Sequence, residues 1–319
     1  MTMLSNRTKG HAAAAFTVLV WGSTFVSTKV LLLSFGPVEI LFWRFIIGYA
    51  ARWALAPRRL RSAGWKHELL FAVSGLTGVT LNYLLETFAL QYTKASNLAV
   101  IVSITPLIVA VTVSILRKER LRGSFFLGFL LSFSGICLIS FSNGAVYSPH
   151  LGGDLLGLGV AVVWTIYTVV SEKLSASGYD VILMTRRIFF YGILFMIPFA
   201  VHDRALLPNL ALWAQPRNLA LLFYLGIAAC ALSYMTWNYA VHALGSLRSN
   251  LYFYFSPLIT VTFSVLILHE SVSPQTLFGM VLTLLGVAVS GNLYGTVRGI
   301  LQEKKSSRGG SAKHGKESS

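Results

Sequence analysis

The amino-acid sequence predicts an all-α integral membrane protein, with ten transmembrane helices arranged as two inverted five-helix repeats and with both termini in the cytoplasm. Three observations predict this fold class. The chain is unusually apolar, it contains ten apolar runs of membrane-spanning length, and residues of its first half recur in its second half.

The composition excludes several classes of protein. Of the 319 residues, 55% are hydrophobic and 12% are charged, whereas a soluble domain carries about 25% charged residues. There is too little polar material to cover a water-soluble globule of this size, so a soluble enzyme and a disordered chain are both excluded. Cys137 and Cys230 lie within apolar runs, which does not support a disulfide framework.

Ten apolar runs follow one another along the chain, and each approaches or exceeds the length of about 20 residues that a helix needs to cross a bilayer. These predicted spans are 11–33, 36–56, 67–92, 94–117, 123–142, 152–174, 180–202, 216–242, 246–268 and 275–297. Because ten is an even number, both termini are expected on the same side of the membrane.

The distribution of positive charge predicts which side that is. The net charge is +15, which in a soluble protein would suggest a nucleic-acid partner, but the Lys and Arg residues cluster in short loops between apolar runs. The termini, loops and adjoining span ends on one side hold 19 of them, those on the other side hold 3, and four lie within spans. This asymmetry is the positive-inside pattern of membrane proteins, so we expect cytoplasmic termini and no nucleic-acid partner.

The spans and loops divide the chain into five expected segments. They are a cytoplasmic N-terminus at 1–10, a first repeat at 11–142, an extracytoplasmic linker at 143–151, a second repeat at 152–297 and a disordered basic cytoplasmic tail at 298–319. The tail is predicted to be disordered because it is polar and rich in Gly, Ser and Lys.

Residues of the first repeat recur in the second at two fixed distances. At 151 residues Tyr83 matches Tyr234, Pro106 matches Pro257 and Glu119 matches Glu270, and at 143 residues Trp21 matches Trp164 and Arg44 matches Arg187. Because each repeat has five spans, the second must run with opposite polarity. Inverted repeats are typical of secondary transporters, which bind their substrate near the midplane between the repeats.

Several sequence segments resemble those of a known transporter family. They are WGSTF at 21–25, Arg44-Phe45, ALQYTKASNLAVIVSITPL at 89–107, RKER at 117–120, SPLITVTFSVLILHESVS at 256–273, and Gly279 with Gly286. Over about 90% of its length, the chain resembles the drug/metabolite transporter superfamily, in particular its EamA-domain exporters. The resemblance implies export of amino acids, amines, sugars, nucleobases or toxic organic compounds, often by proton exchange, without ATP or metal.

Charged residues inside a span are costly and are candidates for function. Lys29, Arg44 and Glu86 fall in the predicted outer third, and Glu172 and Arg187 fall near the predicted inner ends. We expect these residues to couple and gate transport, and Glu86 is the deepest carboxylate and the best candidate to carry a proton. The alternative for Lys29 and Glu172 is that they only reach the lipid headgroups.

Aromatic, amide and hydroxyl residues near the middle of the spans are candidates to bind an amphipathic solute. The predicted substrate-binding residues are Trp21, Thr24, Asn82, Tyr83, Trp164, Tyr167, Tyr234, Trp237, Asn238 and Tyr254. The alternative is an aromatic belt at the membrane interface, although belt residues should gather at the ends of spans.

Two prolines and several missing motifs complete the prediction. Pro106 and Pro257 are candidate hinges, with a static kink as the alternative. The sequence has no phosphate-binding loop and no metal-ligand spacing, so we expect no cofactor, no metal and no enzymatic activity. A membrane enzyme acting on diphosphate lipids would need clustered aspartates, and the three aspartates lie outside the span centres.

These observations predict a secondary active transporter that exports a small metabolite, such as an amino acid or a related amphipathic solute, by alternating access in exchange for protons. The alternatives are an uncoupled facilitative permease and a membrane-embedded lipid or isoprenoid enzyme. We expect the partners to be a small-molecule substrate, protons as the coupling ion and membrane lipid. The protein is expected to be a monomer or weak homodimer in the bacterial cytoplasmic membrane.

Overall fold

The computed structural model describes residues 2–55, 57–58, 60, 64–118, 123–141 and 149–290, and within these residues every regular element is helical. The predicted tail at 298–319 lies outside the described residues, as do positions 143–148 of the predicted linker and the basic stretch 119–122. The all-helical prediction is confirmed for the described part of the chain.

Ten helices follow one another along the described residues. We number them α1 (Thr2–Leu31), α2 (Pro37–Leu55), α3 (Trp65–Tyr92), α4 (Ala95–Leu116), α5 (Gly123–Phe141), α6 (Pro149–Ala176), α7 (Val181–His202), α8 (Pro216–Leu244), α9 (Arg248–Leu268) and α10 (Pro274–Ser290). A short helix at Leu210–Trp213 connects α7 to α8, and a turn of helix at Ser246–Asn250 leads into α9.

Seven of these helices, α1, α3, α4 and α6–α9, are long and apolar enough to cross a membrane, and α5 and α10 contain shorter apolar helices. The remaining helix, α2, has 19 residues and contains Glu39, Arg44 and Arg52. The chain is therefore a multi-pass membrane protein. The count of ten spans and the side of the termini remain predictions. Helix α1 starts at Thr2, so most of the segment predicted as an N-terminal extension is the first part of a helix.

The two halves of the chain share local departures from regular helix geometry. A π-helical segment occupies Leu76–Leu81 in α3, and another occupies Tyr224–Leu232 in α8. Lys118 after α4 has a φ of 55°, and His269, 151 residues later, has a φ of 52° after α9. Such left-handed residues end helices. These pairs support the repeat that the sequence indicates, because π-helical turns and left-handed non-glycine residues are uncommon.

The two matching prolines begin half-helices. In α4 the helix is interrupted after Val102 and resumes at Thr105, with Pro106 in the first turn of the resumed part. In α9 a 3₁₀ segment, Leu251–Phe255, precedes a helix whose first turn contains Pro257. Proline is well tolerated in the first turn, where its missing N–H would lack a helical partner. The hinge role of both prolines remains a prediction.

Helices α5 and α10 pack closely through small residues. A Cβ atom built on Gly135 would lie 2.5 Å from the carbonyl oxygen of Gly279, and the Ser132 hydroxyl donates a hydrogen bond of 3.0 Å to the carbonyl of Thr283. Small residues let membrane helices approach in this way. The same two helices expose large apolar side chains, including Leu130 on α5, which suits a helix pair that faces lipid.

Candidate functional site

A cavity lies between α1, α3, α4, α6 and α9, and it contains about 40 Å³ of free volume. We call the end of the bundle where α1 starts the inner end, and the opposite end the outer end. The cavity is lined by Trp21, Thr24, Phe25, Asn82, Tyr83, Glu86, Ala99, Val102, Ser103, Val160, Trp164, Phe253 and Ser256. Its volume suffices for a few water molecules, so a metabolite would need the helices to move apart.

Helix α3 contributes the polar wall of this cavity. Asn82, Tyr83 and Glu86 share one face of the helix, as their spacing predicts. The Glu86 side chain is buried, and its Oε1 atom has no hydrogen-bond partner among the described residues; the same is true of Asn82 Oδ1. Buried polar atoms are normally satisfied, so these oxygens are available to a ligand or a proton.

Three aromatic residues form the floor of the cavity, on the side of the inner end. Trp21 and Trp164 meet edge to face with ring centroids 5.1 Å apart, and Phe253 lies 6.0 Å from Trp21 in a stacked arrangement. The Trp21 Nε1–H donates to the carbonyl of Ala229 at 3.1 Å, whereas Trp164 Nε1 has no partner among the described residues. The floor therefore presents apolar ring faces and one free donor.

Four predicted substrate-binding residues lie below this floor, which means between the floor and the inner end of the bundle, and they do not line the cavity. Tyr167, Tyr234, Trp237 and Asn238 are all fully buried. The Tyr167 hydroxyl donates to Asn238 Oδ1 at 2.8 Å, and the amide of Asn238 donates to Thr185 at 2.8 Å. Tyr167 and Asn238 thus satisfy each other within the protein, and together with Tyr234 and Trp237 they fill the inner side of the bundle, although the Trp237 indole N–H has no hydrogen-bond partner among the described residues.

Tyr254 also lies outside the cavity. It packs against an apolar cluster whose members include Ile101 of α4 and Ala161 of α6. The cavity instead receives Phe253 and Ser256 from α9. Sequence reasoning selected the tyrosine for its polarity, but the 3₁₀ segment at Leu251–Phe255 changes which side chains face inward. Of the ten predicted substrate-binding residues, the structure places Trp21, Thr24, Asn82, Tyr83 and Trp164 in the cavity wall.

Arg44 lies beside the cavity, fully buried between α2, α3 and α8. Its Nε–H donates to the sulfur of Cys230 at 3.3 Å, and its guanidinium lies 4.3 Å from the centre of the Tyr83 ring. Both terminal nitrogens lack a hydrogen-bond partner among the described residues. Arg44 also interacts electrostatically with Glu86, and no ion pair joins the two in the described part of the chain.

A second buried guanidinium, Arg52, was not selected from the sequence. It donates to the carbonyl oxygen of Cys230 and lies 3.5 Å from the centre of the Phe189 ring. The sequence placed Arg52 at the end of a span, where an arginine normally reaches the headgroups. The structure directs it into the bundle, so α2 and α8 are joined through Cys230 by two arginines.

An outer ionic cluster joins the two halves. The Lys29 ammonium lies 3.3 Å from Glu270 Oε1 and donates to the carbonyl of Thr93 at 2.8 Å. Glu270 accepts the backbone N–H groups of Ala95 and Ser96 at 3.1 and 3.3 Å. A carboxylate at this position caps the start of α4 and complements its dipole.

Two contacts hold the inner end. Arg187 donates two hydrogen bonds to Glu68, at 3.1 and 2.7 Å, and the Tyr191 hydroxyl donates to the same carboxylate at 2.6 Å. Separately, Ser246 donates to the carboxylate of Glu172. The first contact joins α3 to α7, and the second joins α6 to the start of the α9 segment.

The predicted gating residues therefore lie in different groups. Lys29 pairs with Glu270, away from Glu86 and Arg44, with which the sequence grouped it. Glu172 and Arg187 both lie at the inner end, but each has its own partner. Sequence reasoning missed Glu68 and Glu270. The signal for Glu270 was present, because it matches Glu119 across the repeat.

Among the described residues, no group of three or more His, Cys, Asp or Glu side chains is arranged to hold a metal ion. The two cysteines, Cys137 and Cys230, are not joined to each other.

The model of the EamA-like transporter family matches residues 8–141 and 151–291. This chain belongs to the EamA-like transporter family. The two matches correspond to two EamA repeats, which is the resemblance that the sequence motifs indicated, and the family lies within the drug/metabolite transporter superfamily.

Similar proteins span nearly the whole of this EamA protein. An uncharacterized transporter of Archaeoglobus fulgidus is 30% identical over 88% of this chain and 96% of its own length. The probable terminal-alkyne amino-acid exporter of Streptantibioticus cattleyicolor is 24% identical over 86% and 91%. A crystal structure at 18% identity covers 90% of this chain and 98% of its own with a TM-score of 0.64, which supports the fold alone. The names of the two relatives point to a membrane transporter.

Proposed function

We propose that this EamA protein is a secondary active transporter of the bacterial cytoplasmic membrane that exports an amino acid or a related amphipathic solute in exchange for protons. The observation that carries the proposal is the buried Glu86 carboxylate in the wall of an aromatic-floored cavity, with no hydrogen-bond partner among the described residues. Intramembrane carboxylates of this kind mark proton and substrate pathways.

The chemistry of the cavity suits a solute with an apolar body and a polar end. Trp21, Trp164 and Phe253 offer ring faces, while Asn82 and Glu86 offer oxygens that can accept hydrogen bonds from an ammonium group. The unpartnered nitrogens of Arg44 lie behind the same wall, and a shift of α2 would let them meet a carboxylate. The amino-acid exporter among the similar proteins supports this substrate class.

Two contact groups are candidates to close the cavity at either end. The outer group is Lys29 with Glu270, and the inner group is Arg187 with Glu68, to which the Glu172–Ser246 contact adds. Alternating access requires that one group opens while the other stays closed. The half-helices that begin near Pro106 and Pro257 supply the places where α4 and α9 would bend.

We propose a monomer, or a weak homodimer, as the transporting unit.

Transport into proteoliposomes tests this proposal. A panel of radiolabelled amino acids and amines is offered with and without an inward proton gradient to the wild type and to Glu86→Gln. We expect saturable flux that responds to the gradient in the wild type and loses that response in the variant. Glu39→Gln is the matched control, because Glu39 lies near the outer end of α2 and does not line the cavity.

The other outcomes favour other functions. Saturable flux that ignores the proton gradient would support the uncoupled permease. A gradient response that survives in Glu86→Gln would remove Glu86 from the coupling mechanism. If no solute in the panel moves, the substrate class is wrong, and chemical analysis of lipids incubated with the protein would then test for the membrane-embedded enzyme.

A further inference from the structure

A second cavity of about 260 Å³ lies at the inner end of the bundle, between the last turns of α2 and the first turns of α7. It shares no lining residue with the central cavity. Its walls combine two arginines with apolar and aromatic side chains: Tyr49, Trp53, Leu183, Arg186, Arg187 and Phe190. Neither the family match nor the central cavity accounts for this site.

The charged wall of this cavity is positive and preorganised. The Arg186 guanidinium lies 4.1 Å from the centre of the Trp53 ring, and it donates to the backbone carbonyl of Arg58. Arg187 is held by its two hydrogen bonds to Glu68. The facing charged side chains are thus Arg186, Arg187 and the Glu68 carboxylate that holds Arg187, which favours a ligand with a negative charge. Guanidinium groups are well suited to phosphate, because they bind two of its oxygens at once.

The apolar wall continues along the outside of the bundle. Phe190, at the rim of the cavity, is 44% exposed, and Leu194 and Ile197 are 47% and 40% exposed. These residues are spaced by four and three positions, so they share one face of α7. In a membrane this stripe meets the acyl chains of the leaflet at the inner end. It runs from the arginines toward the middle of the bilayer, as one acyl chain of a phospholipid does.

We propose that the cavity between α2 and α7 binds an anionic phospholipid, whose phosphate meets Arg186 and Arg187 and whose acyl chain lies along Phe190, Leu194 and Ile197. Basic pockets between transmembrane helices on the cytoplasmic side are a recognised way of binding such headgroups. The site is distinct from the transport cavity, so it stands whether or not the protein transports amino acids.

Native mass spectrometry of the full chain in a neutral detergent tests the proposal. Phosphatidylglycerol and phosphatidylcholine with the same acyl chains are compared as ligands. We expect the wild type to prefer phosphatidylglycerol and Arg186→Gln to weaken that binding by about fivefold, since each basic residue near a lipid surface contributes about 1 kcal/mol. Arg248→Gln is the matched control, because Arg248 is exposed at the same end and does not line the cavity.

A second variant keeps the test valid if the loss of the buried Arg186 disturbs folding. Leu183 lies in the first turn of α7, which Asp180 caps by accepting the N–H groups of Ile182 and Leu183. A carboxylate in a first helical turn is favourable, so Leu183→Glu should fold while it places a negative charge in the cavity. We expect this variant to lose its preference for phosphatidylglycerol.

Three results would overturn the proposal. The first is equal binding of the two lipids by the wild type, and the second is an unchanged preference in Leu183→Glu. The third is competition by inorganic phosphate or glycerol 3-phosphate at concentrations similar to those of the lipid, because the acyl chain would then contribute nothing. Failure of this test leaves the proposed transport function untouched, since the two cavities share no lining residue and the contact of Arg187 with Glu68 does not depend on a lipid.

Discussion

Lys29 and Glu270 form an ion pair of 3.3 Å that joins the end of α1, in the first repeat, to the segment that follows α9 in the second. The same carboxylate accepts the first N–H groups of α4. One side chain therefore holds three helices at the outer end, and opening this end requires the loss of all these contacts together.

Removing this carboxylate should destabilise the protein. We expect Glu270→Ala to lower the free energy of unfolding by about 1–2 kcal/mol, because a lost N-cap alone typically costs about 1 kcal/mol. Thermal unfolding in detergent measures the change. In a double-mutant cycle with Lys29→Met, a coupling energy of at least about 0.5 kcal/mol is expected for residues in contact, and strict additivity would show that the pair contributes nothing.

The bidentate contact between Arg187 and Glu68 should make the stability of the protein sensitive to replacement of this arginine by lysine. Arg187→Lys keeps the charge but cannot donate two parallel hydrogen bonds to the carboxylate. The Arg187 side chain is 34% exposed, so we expect a loss of at most about 1 kcal/mol in the free energy of unfolding. Arg248→Lys, at an exposed position of the same end, should unfold like the wild type; an equal loss in both variants would contradict the prediction.

The close contact of α5 and α10 should not tolerate one added methyl group. In Gly135→Ala the new Cβ would lie 2.5 Å from the Gly279 carbonyl oxygen, so we expect a loss of about 1–3 kcal/mol from overpacking. Gly152→Ala is the control, because a Cβ built there meets no atom within 4 Å beyond its chain neighbours and the backbone of its own helix. Thermal unfolding of the two variants should shift in opposite directions, since alanine favours helix over glycine.

Alanine substitution of two asparagines should affect two different properties, the KM for transport and the stability of the fold. Asn82 lines the cavity with an unpartnered oxygen. Asn82→Ala should therefore raise the KM for transport by about fivefold, because the loss of one hydrogen bond to the substrate costs about 1 kcal/mol of binding free energy. Asn238 is bonded to Tyr167 and Thr185, so Asn238→Ala should instead lower stability by about 1–3 kcal/mol with KM unchanged.

Proteoliposome flux and thermal unfolding, measured on the same preparations, check this pair of expectations. Tyr254→Phe serves as the control, because Tyr254 does not line the cavity and has no described hydrogen bond. If Asn238→Ala raised KM as much as Asn82→Ala does, the residues below the aromatic floor would belong to the binding site after all.

Most of the architecture was predictable from local sequence. Long apolar runs can only be satisfied as helices in a membrane. The predicted spans agree with the observed helices to within a few residues, apart from the extended start of α1 and the end of the last span at 291–297, which lies outside the described residues. Pro106 and Pro257, which match across the repeat, also occupy corresponding places in the structure, each in the first turn of a half-helix.

The composition of the site was only partly predictable. Asn82, Tyr83 and Glu86 were candidates from the sequence, and the structure places all three on the face of α3 that lines the cavity. Tyr234, Trp237 and Asn238 have a comparable helical spacing, yet their face of α8 fills the bundle below the floor. Helical periodicity reports which residues face inward, and it carries no information on whether another side chain already occupies the space.

The membrane class, the helical repeats and the family follow from composition, periodicity and motifs that are local to the chain, so they could be predicted without a structure. The pairing of Lys29 with Glu270 and of Arg187 with Glu68 became evident from the packed helices alone, as did the turn of Arg52 into the bundle. A charged side chain inside the bundle takes whichever partner the packing of distant helices brings within reach, and no pattern along the chain records that distance.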